Sequence, residues 1–104
     1  MIRHIVFFSA AVKSDIERIM TALLRLGDIA DCTLLEVTEN RKTDAWSTEV
    51  DIVVYGEFRD EKALAAFRAH PIYSEVTRDV RPLRELRIAD HVTSSARANC
   101  TPAP

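Results

Sequence analysis

Ile2-Arg3-His4-Ile5-Val6-Phe7-Phe8 decides the architecture, because every residue in it except Arg3 and His4 is β-branched or aromatic. The run is too short and too β-rich for a helix and reads as a strand. Side chains alternate along a strand, so Ile2, His4, Val6 and Phe8 share one face, and Arg3, Ile5 and Phe7 share the other. Both faces are apolar. The same holds for Ile52-Val53-Val54-Tyr55, inside a strand expected over residues 49–58, where Ile52 and Val54 oppose Val53 and Tyr55. Such a strand belongs in the middle of a sheet, covered on both sides.

Between these strands, Ser14-Asp15-Ile16-Glu17 matches a capping box, in which the serine hydroxyl and the glutamate satisfy donors that the first helical turn leaves unpaired. Ile16, Ile19, Met20, Leu23 and Leu24 then recur at helical spacing, and Gly27 is expected to close the helix in the left-handed conformation. A strand is expected over 32–37, followed by the polar loop 38–44, with Trp46 as the large apolar residue nearby. Trp46 has two readings, a cover for a pocket mouth or part of a subunit seam.

Downstream, Asp60 is placed to cap a helix that buries Ala63, Leu64 and Phe67. Pro71 excludes its predecessor His70 from helical geometry, and then opens a second helix through Ile72, Val76 and Val80 that Pro82 stops. A fourth strand is expected over 83–88, with Leu86 and Ile88 on one face. Past His91 the chain is small and polar, so residues 1–92 read as one domain and 93–104 as a flexible tail.

This order is α+β, a ferredoxin-like βαββαβ subunit with a four-stranded antiparallel sheet and its helices on one side. The helices cover only one sheet face. Leaving the other wet would expose on the order of several hundred Å2 of apolar area, more than a soluble monomer normally shows. A second copy of the chain is the economical cover, giving a dimeric α+β barrel.

The 104 residues, 47% hydrophobic and 29% charged, fit a single compact domain. A net charge of −2, with Arg59, Arg68, Arg78, Arg81, Arg84 and Arg87 interleaved with acids, offers no overall field for nucleic acid or anionic membrane. The arginines read as a mixed-charge solvated surface. Cys32 and Cys100 lack metal-ligand or redox spacing, and the three histidines show no close-spaced pair on one element. With only Gly27 and Gly56 there is no glycine-rich phosphate loop, so neither metal nor organic cofactor is expected. No apolar run approaches the roughly 18 residues of a membrane helix, and the opening residues lack a cleavage pattern. The default address is the cytoplasm.

Four segments carry a family likeness: Arg3-His4-Ile5-Val6-Phe7-Phe8, Phe58-Arg59-Asp60-Glu61-Lys62-Ala63-Leu64, Phe67-Arg68-Ala69-His70-Pro71 and Ile88-Ala89-Asp90-His91. In order and spacing, over about residues 1–92, they resemble the stress-responsive A/B barrel domain family of the dimeric α+β barrel superfamily. The resemblance implies a ferredoxin-like subunit whose sheet pairs with a partner's. One branch, olivetolic acid cyclase, closes a polyketide ring without cofactor through a tyrosine and a histidine in a Tyr-x-x-His-Pro-x-His motif. Here the motif's tyrosine falls on Phe67, its central histidine on His70, its proline on Pro71 and its last histidine on Tyr73. Phe67 has no hydroxyl, and a phenol of pKa about 10 replaces an imidazole of about 6.5 that would suit proton abstraction near neutrality. That mechanism therefore does not transfer as it stands.

What the resemblance leaves is His4, matching a histidine that lines the pocket, and Asp90, matching an aspartate near the end of the last strand. First and fourth strands are neighbours in this order, which would bring His4 beside Asp90 or His91. The implied roles are His4 as base, Asp90 as the carboxylate that orients it, Tyr73 and His70 as hydrogen-bonding groups, and Val6, Phe8, Phe67 and Ile88 as ligand-lining residues. Plainer roles stand beside these: a structural hydrogen bond for His4, a helix cap for His70, a strand end for Asp90, and core packing for Tyr73 and Phe67.

The first functional reading is a homodimer that binds a small apolar or aromatic molecule between sheet and helices, with cofactor-free cyclase or lyase chemistry. One alternative is a non-catalytic, stress-associated structural or binding protein. The other is a cofactor-free monooxygenase of the same superfamily.

Overall fold

The computed structural model describes residues 1–46 and 48–93. Its elements run β1 (Ile2–Ala10), α1 (Ile16–Leu24), β2 (Leu34–Glu39), β3 (Ile52–Phe58), α2 (Glu61–Ala69), α3 (Pro71–Val80) and β4 (Arg84–Val92). Short 3-10 turns, Lys13–Asp15 and Arg25–Asp28, flank α1. The strands form one antiparallel sheet in the order β2-β3-β1-β4, so the two strands with two apolar faces occupy its centre. This is the ferredoxin-like arrangement.

Burial follows the pleat. Ile2, Val6 and Phe8 of β1 and Ile52, Val54 and Phe58 of β3 are buried on the helix side. They pack with Ile19 and Leu23 of α1, Leu64 and Phe67 of α2, and Val76 and Val80 of α3. Each such side chain contributes about 1.5–3 kcal/mol relative to exposure. On the other face, Phe7 lies between Val53 and Ile88 in register, and Ile5 lies opposite Tyr55. Phe7, Leu34, Ile88 and Val92 of that outer face are exposed.

Two caps form, the one expected at Asp60 and, at His70, the plainer of its two roles. Asp60 accepts from the Ala63 N–H at 2.8 Å to start α2. His70 Nδ1 accepts from the Ile72 N–H at 3.1 Å, and Pro71 takes the first position of α3. The capping box at Ser14 does not form: the Asp15 and Ile16 N–H groups donate to the carbonyls of Val12 and Lys13, so a 3-10 turn takes up the donors a side-chain cap would serve. Gly27 is not left-handed either, because α1 ends by tightening into the second 3-10 turn. β2 starts at Leu34 and β3 at Ile52, later than expected, while β4 continues past Ile88 to Val92 because β1 offers partners as far as Arg3. The tail expected beyond residue 92 lies, except for Thr93, outside the described residues.

Near the end of β1 the ladder is irregular. Phe8 pairs with Arg87 and Ala10 with Arg84, so two steps along β1 match three along β4. The extra residue makes a β-bulge in β4. Buried Ser9 accommodates it, its Oγ accepting from the Leu86 N–H at 3.0 Å. Beside it, the fully buried Asp51 accepts from the Ala10 N–H at 2.8 Å and from Lys13 Nζ at 2.7 Å, and pairs with Lys42, a non-glycine residue in the left-handed region at φ 57°. The carboxylate ties three segments together. Burial pushes its pKa up, but the hydrogen bonds from Lys13, Lys42 and Ala10 and the Lys13 charge outweigh that and hold it at about 2.

A carboxyl with a folded pKa below its unfolded value stabilises the fold above about pH 4, and loses that contribution as pH falls toward 2. We expect Asp51→Asn to cost on the order of 1–2 kcal/mol at pH 7 and to flatten the acid limb of stability, read by urea unfolding between pH 2 and 7. An unchanged acid limb would assign that limb to other groups. For His70→Ala, loss of the cap predicts about 1 kcal/mol of destabilisation in the same assay.

Candidate functional site

A cavity lies between the helix side of the sheet and α3. Its floor is His4, Val6 and Phe8 of β1 with Val54, Gly56 and Phe58 of β3. Leu23, Leu26 and Leu35 close one side, while Phe67 of α2 and Tyr73, Val76, Thr77 and Val80 of α3 form the roof. Arg84 and Arg87 of β4 complete the lining. The walls are mostly apolar because they are the inward-facing positions of strands and amphipathic helices, and the polar groups among them are few.

His4 is one of those few and is 4% exposed. An edge-to-face series of rings runs from it: His4 to Phe58 with centroids 6.3 Å apart, Phe58 to Phe67 at 4.8 Å, and Phe67 to Tyr73 at 5.4 Å. At the far end, Tyr73 Oη accepts from Arg87 Nη2 at 3.4 Å. Imidazole and phenol thus line one cavity. Gly56, opposite His4 in register, does not have positive φ, so its backbone does not require glycine. A β-carbon there would come within 3.2 Å of the Phe58 ring, so its absence leaves space beside His4.

The open volume is about 40 Å3. At about 10–15 Å3 per water on this measure, it holds a few waters. An aromatic ligand therefore enters only if roof side chains shift.

Of the residues singled out in the sequence, His4, Tyr73, Val6, Phe8 and Phe67 come together in this cavity. Ile88 does not: it pairs with Phe7 and sits exposed on the outer sheet face. Asp90 is opposite Ile5 in register, so the pleat sets it on the outer face, away from His4. It is His91 whose backbone lies opposite His4. His70 is occupied as the cap of α3 and is not among the lining residues, and Trp46, 91% exposed in the β2–β3 connection, does not line the cavity either.

Sequence reading missed Arg84 and Arg87, which it grouped with the solvated charges. Alternation along the observed length of β4 places Arg87 with Ala89 on the helix side. Arg84 has the opposite parity, and only the bulge turns it to the same side. Among the described residues, no group of three or more histidines, cysteines or acids could hold a metal ion, and no helix is long and apolar enough to cross a membrane.

No curated protein sequence matches the chain. Among solved structures, it is similar to a Dabb family protein with a ferredoxin-like fold from Mesorhizobium loti, with 22% identity, TM-score 0.78, and coverage of 91% of this chain and 97% of that one. It is also similar to a dimeric ferredoxin-like protein from Thermobifida fusca, with 21% identity, TM-score 0.76, and coverage of 89% and 90%. An antibiotic biosynthesis monooxygenase matches at 12% identity and TM-score 0.74, over 92% of this chain and all 100% of that one. At these identities the structural likenesses speak for the fold alone. The family description of the stress responsive A/B barrel domain matches residues 2–93, nearly the whole described chain. With that match, the β2-β3-β1-β4 sheet and the helices on one of its faces, the chain belongs to the stress responsive A/B barrel domain family.

Proposed function

We propose that residues 1–92 act as a homodimeric binding unit whose cavity takes a small apolar or aromatic molecule. The observation that carries this reading is a mostly apolar cavity into which a buried imidazole, a phenol and a guanidinium converge. Sites for small molecules have that composition, apolar walls with a few polar groups that fix orientation. Within it, His4 is the candidate base and Tyr73 the candidate hydrogen-bonding partner to a carbonyl, a pair suited to cofactor-free cyclase or lyase chemistry on an acidic C–H or phenol. Asp90 and His70 have no place in that chemistry here, given where register and capping put them.

Dimerisation rests on the outer face, where the row Val53-Phe7-Ile88 and the neighbouring Ile5 and Tyr55 form an apolar centre that the helices do not cover, with Leu34 and Val92 exposed at the sheet edges. The dimeric state of the Thermobifida fusca protein supports the same reading. Cytoplasmic residence is part of the proposal.

A second reading, cofactor-free oxygenation of an electron-rich phenol, draws on the likeness to the antibiotic biosynthesis monooxygenase. Oxygen uptake with a quinol substrate separates it from non-redox chemistry. The non-catalytic alternative draws on Phe67, which supplies no hydroxyl, and on the small open volume.

Calorimetric titration with small aromatic ligands is expected to give saturable binding that His4→Ala weakens by roughly tenfold, the loss of one buried polar contact. Wild-type affinity in that variant would remove His4 from the site. Phe7→Glu with Ile88→Glu is expected to convert a dimer into monomers in sedimentation equilibrium. A wild-type protein that sediments as a folded monomer at high dilution would overturn the dimer.

A further inference from the structure

The bulge in β4 has a chemical consequence. In a regular strand, residues three apart point to opposite faces, and Arg84 would lie on the outer side with Leu86 and Ile88. Because the β4 side takes three steps where β1 takes two, Arg84 instead shares the cavity with Arg87. Bulges of this kind re-aim side chains beside functional sites. Here the irregularity is held in place by the Ser9 Oγ accepting the Leu86 N–H in the interior of the sheet.

Two arginine side chains thus line one apolar cavity. Arg84 is half-buried, and among the described residues neither arginine has an ion-pair partner, whereas Arg25 is held by Glu75 and Asp79. Arg87 instead spends one donor on Tyr73 Oη. Arg87 is exposed, but taking the Arg84 charge partly out of water without a counter-charge is costly, and an anion bound between the arginines would offset that cost. A second groove, which shares Tyr73 and Thr77 with the cavity, is flanked by Arg68, Arg81 and Arg78, the last paired with Asp79, so basic side chains border this end of the cavity as well. Such a cluster draws anions inward.

We propose that the cavity selects small carboxylic acids, the apolar body resting toward His4 and Phe58 and the carboxylate held by Arg84, Arg87 and the Tyr73 hydroxyl. This rests on the binding reading above and names its ligand class. A flat, two-oxygen head matches the planar fork of a guanidinium.

The test uses the full-length chain and calorimetric titration with phenylacetate, the isosteric neutral phenylacetamide, and phenyl phosphate. The expected result is phenylacetate at least about tenfold tighter than the amide. In Arg84→Gln and Arg87→Gln the acid is expected to lose more affinity than the amide, so that the ratio falls toward unity while the thermal midpoint stays near the wild-type value. Equal affinity for acid and amide overturns the carboxylate preference and leaves the apolar cavity standing. Absence of binding by all three removes the binding reading and this inference with it. An acid-to-amide ratio unaltered in both glutamine variants places the anion elsewhere and overturns the assignment. Tighter binding of phenyl phosphate than of phenylacetate overturns the commitment to carboxylates.

Discussion

Everything in this subunit depends on a sheet that has two apolar faces and helices for only one. The helix-covered side becomes core and cavity, because α1, α2 and α3 bury their stripes against Val6, Phe8, Val54 and Phe58. The uncovered side, centred on Phe7 between Val53 and Ile88, is the part of the molecule that a lone subunit leaves unfinished. One-sided coverage is what divides the protein into a side that encloses a cavity and a side whose apolar centre is left uncovered.

The cavity side is in turn organised by departures from regularity. Pro71 breaks what would have been one helix into α2 and α3, and the break lets α3 lie as a separate roof that carries Tyr73, Val76 and Val80 over the strands. The β4 bulge sets which charges meet that roof. Asp51, fully buried beside the same bulge, fixes the geometry around it by holding Ala10, Lys13 and Lys42. These three features lie apart from His4, yet the polar lining of the cavity depends on them.

The two-faced strands, the helical spacings and the caps at Asp60 and His70 were legible in the sequence because each depends on near neighbours along the chain. So was part of the apolar lining, since the inward placement of Val6, Phe8 and Phe67 follows from parity and helical periodicity, whereas Ile88 falls on the other face. Asp90 was misplaced through register: a one-residue difference in which residue faces His4 exchanges His91 for Asp90 and moves the carboxylate to the other face. Arg84 was illegible for a related reason, as no local pattern announces a bulge. Asp51 went unnoticed because its meaning comes from lysines 38 residues before it and at the far end of a loop. In each case the deciding partner is remote in sequence, and local pattern carries nothing about it.

Gly56 adds a last point. Since its backbone is in an ordinary region, what the residue contributes is missing mass, next to His4 and against the Phe58 ring. One methyl group is a sizeable part of a void as small as this one. Whether a subunit of this shape is hollow or solid can therefore turn on a position with no functional group at all, and the bulk of the residue there sets the capacity of the void.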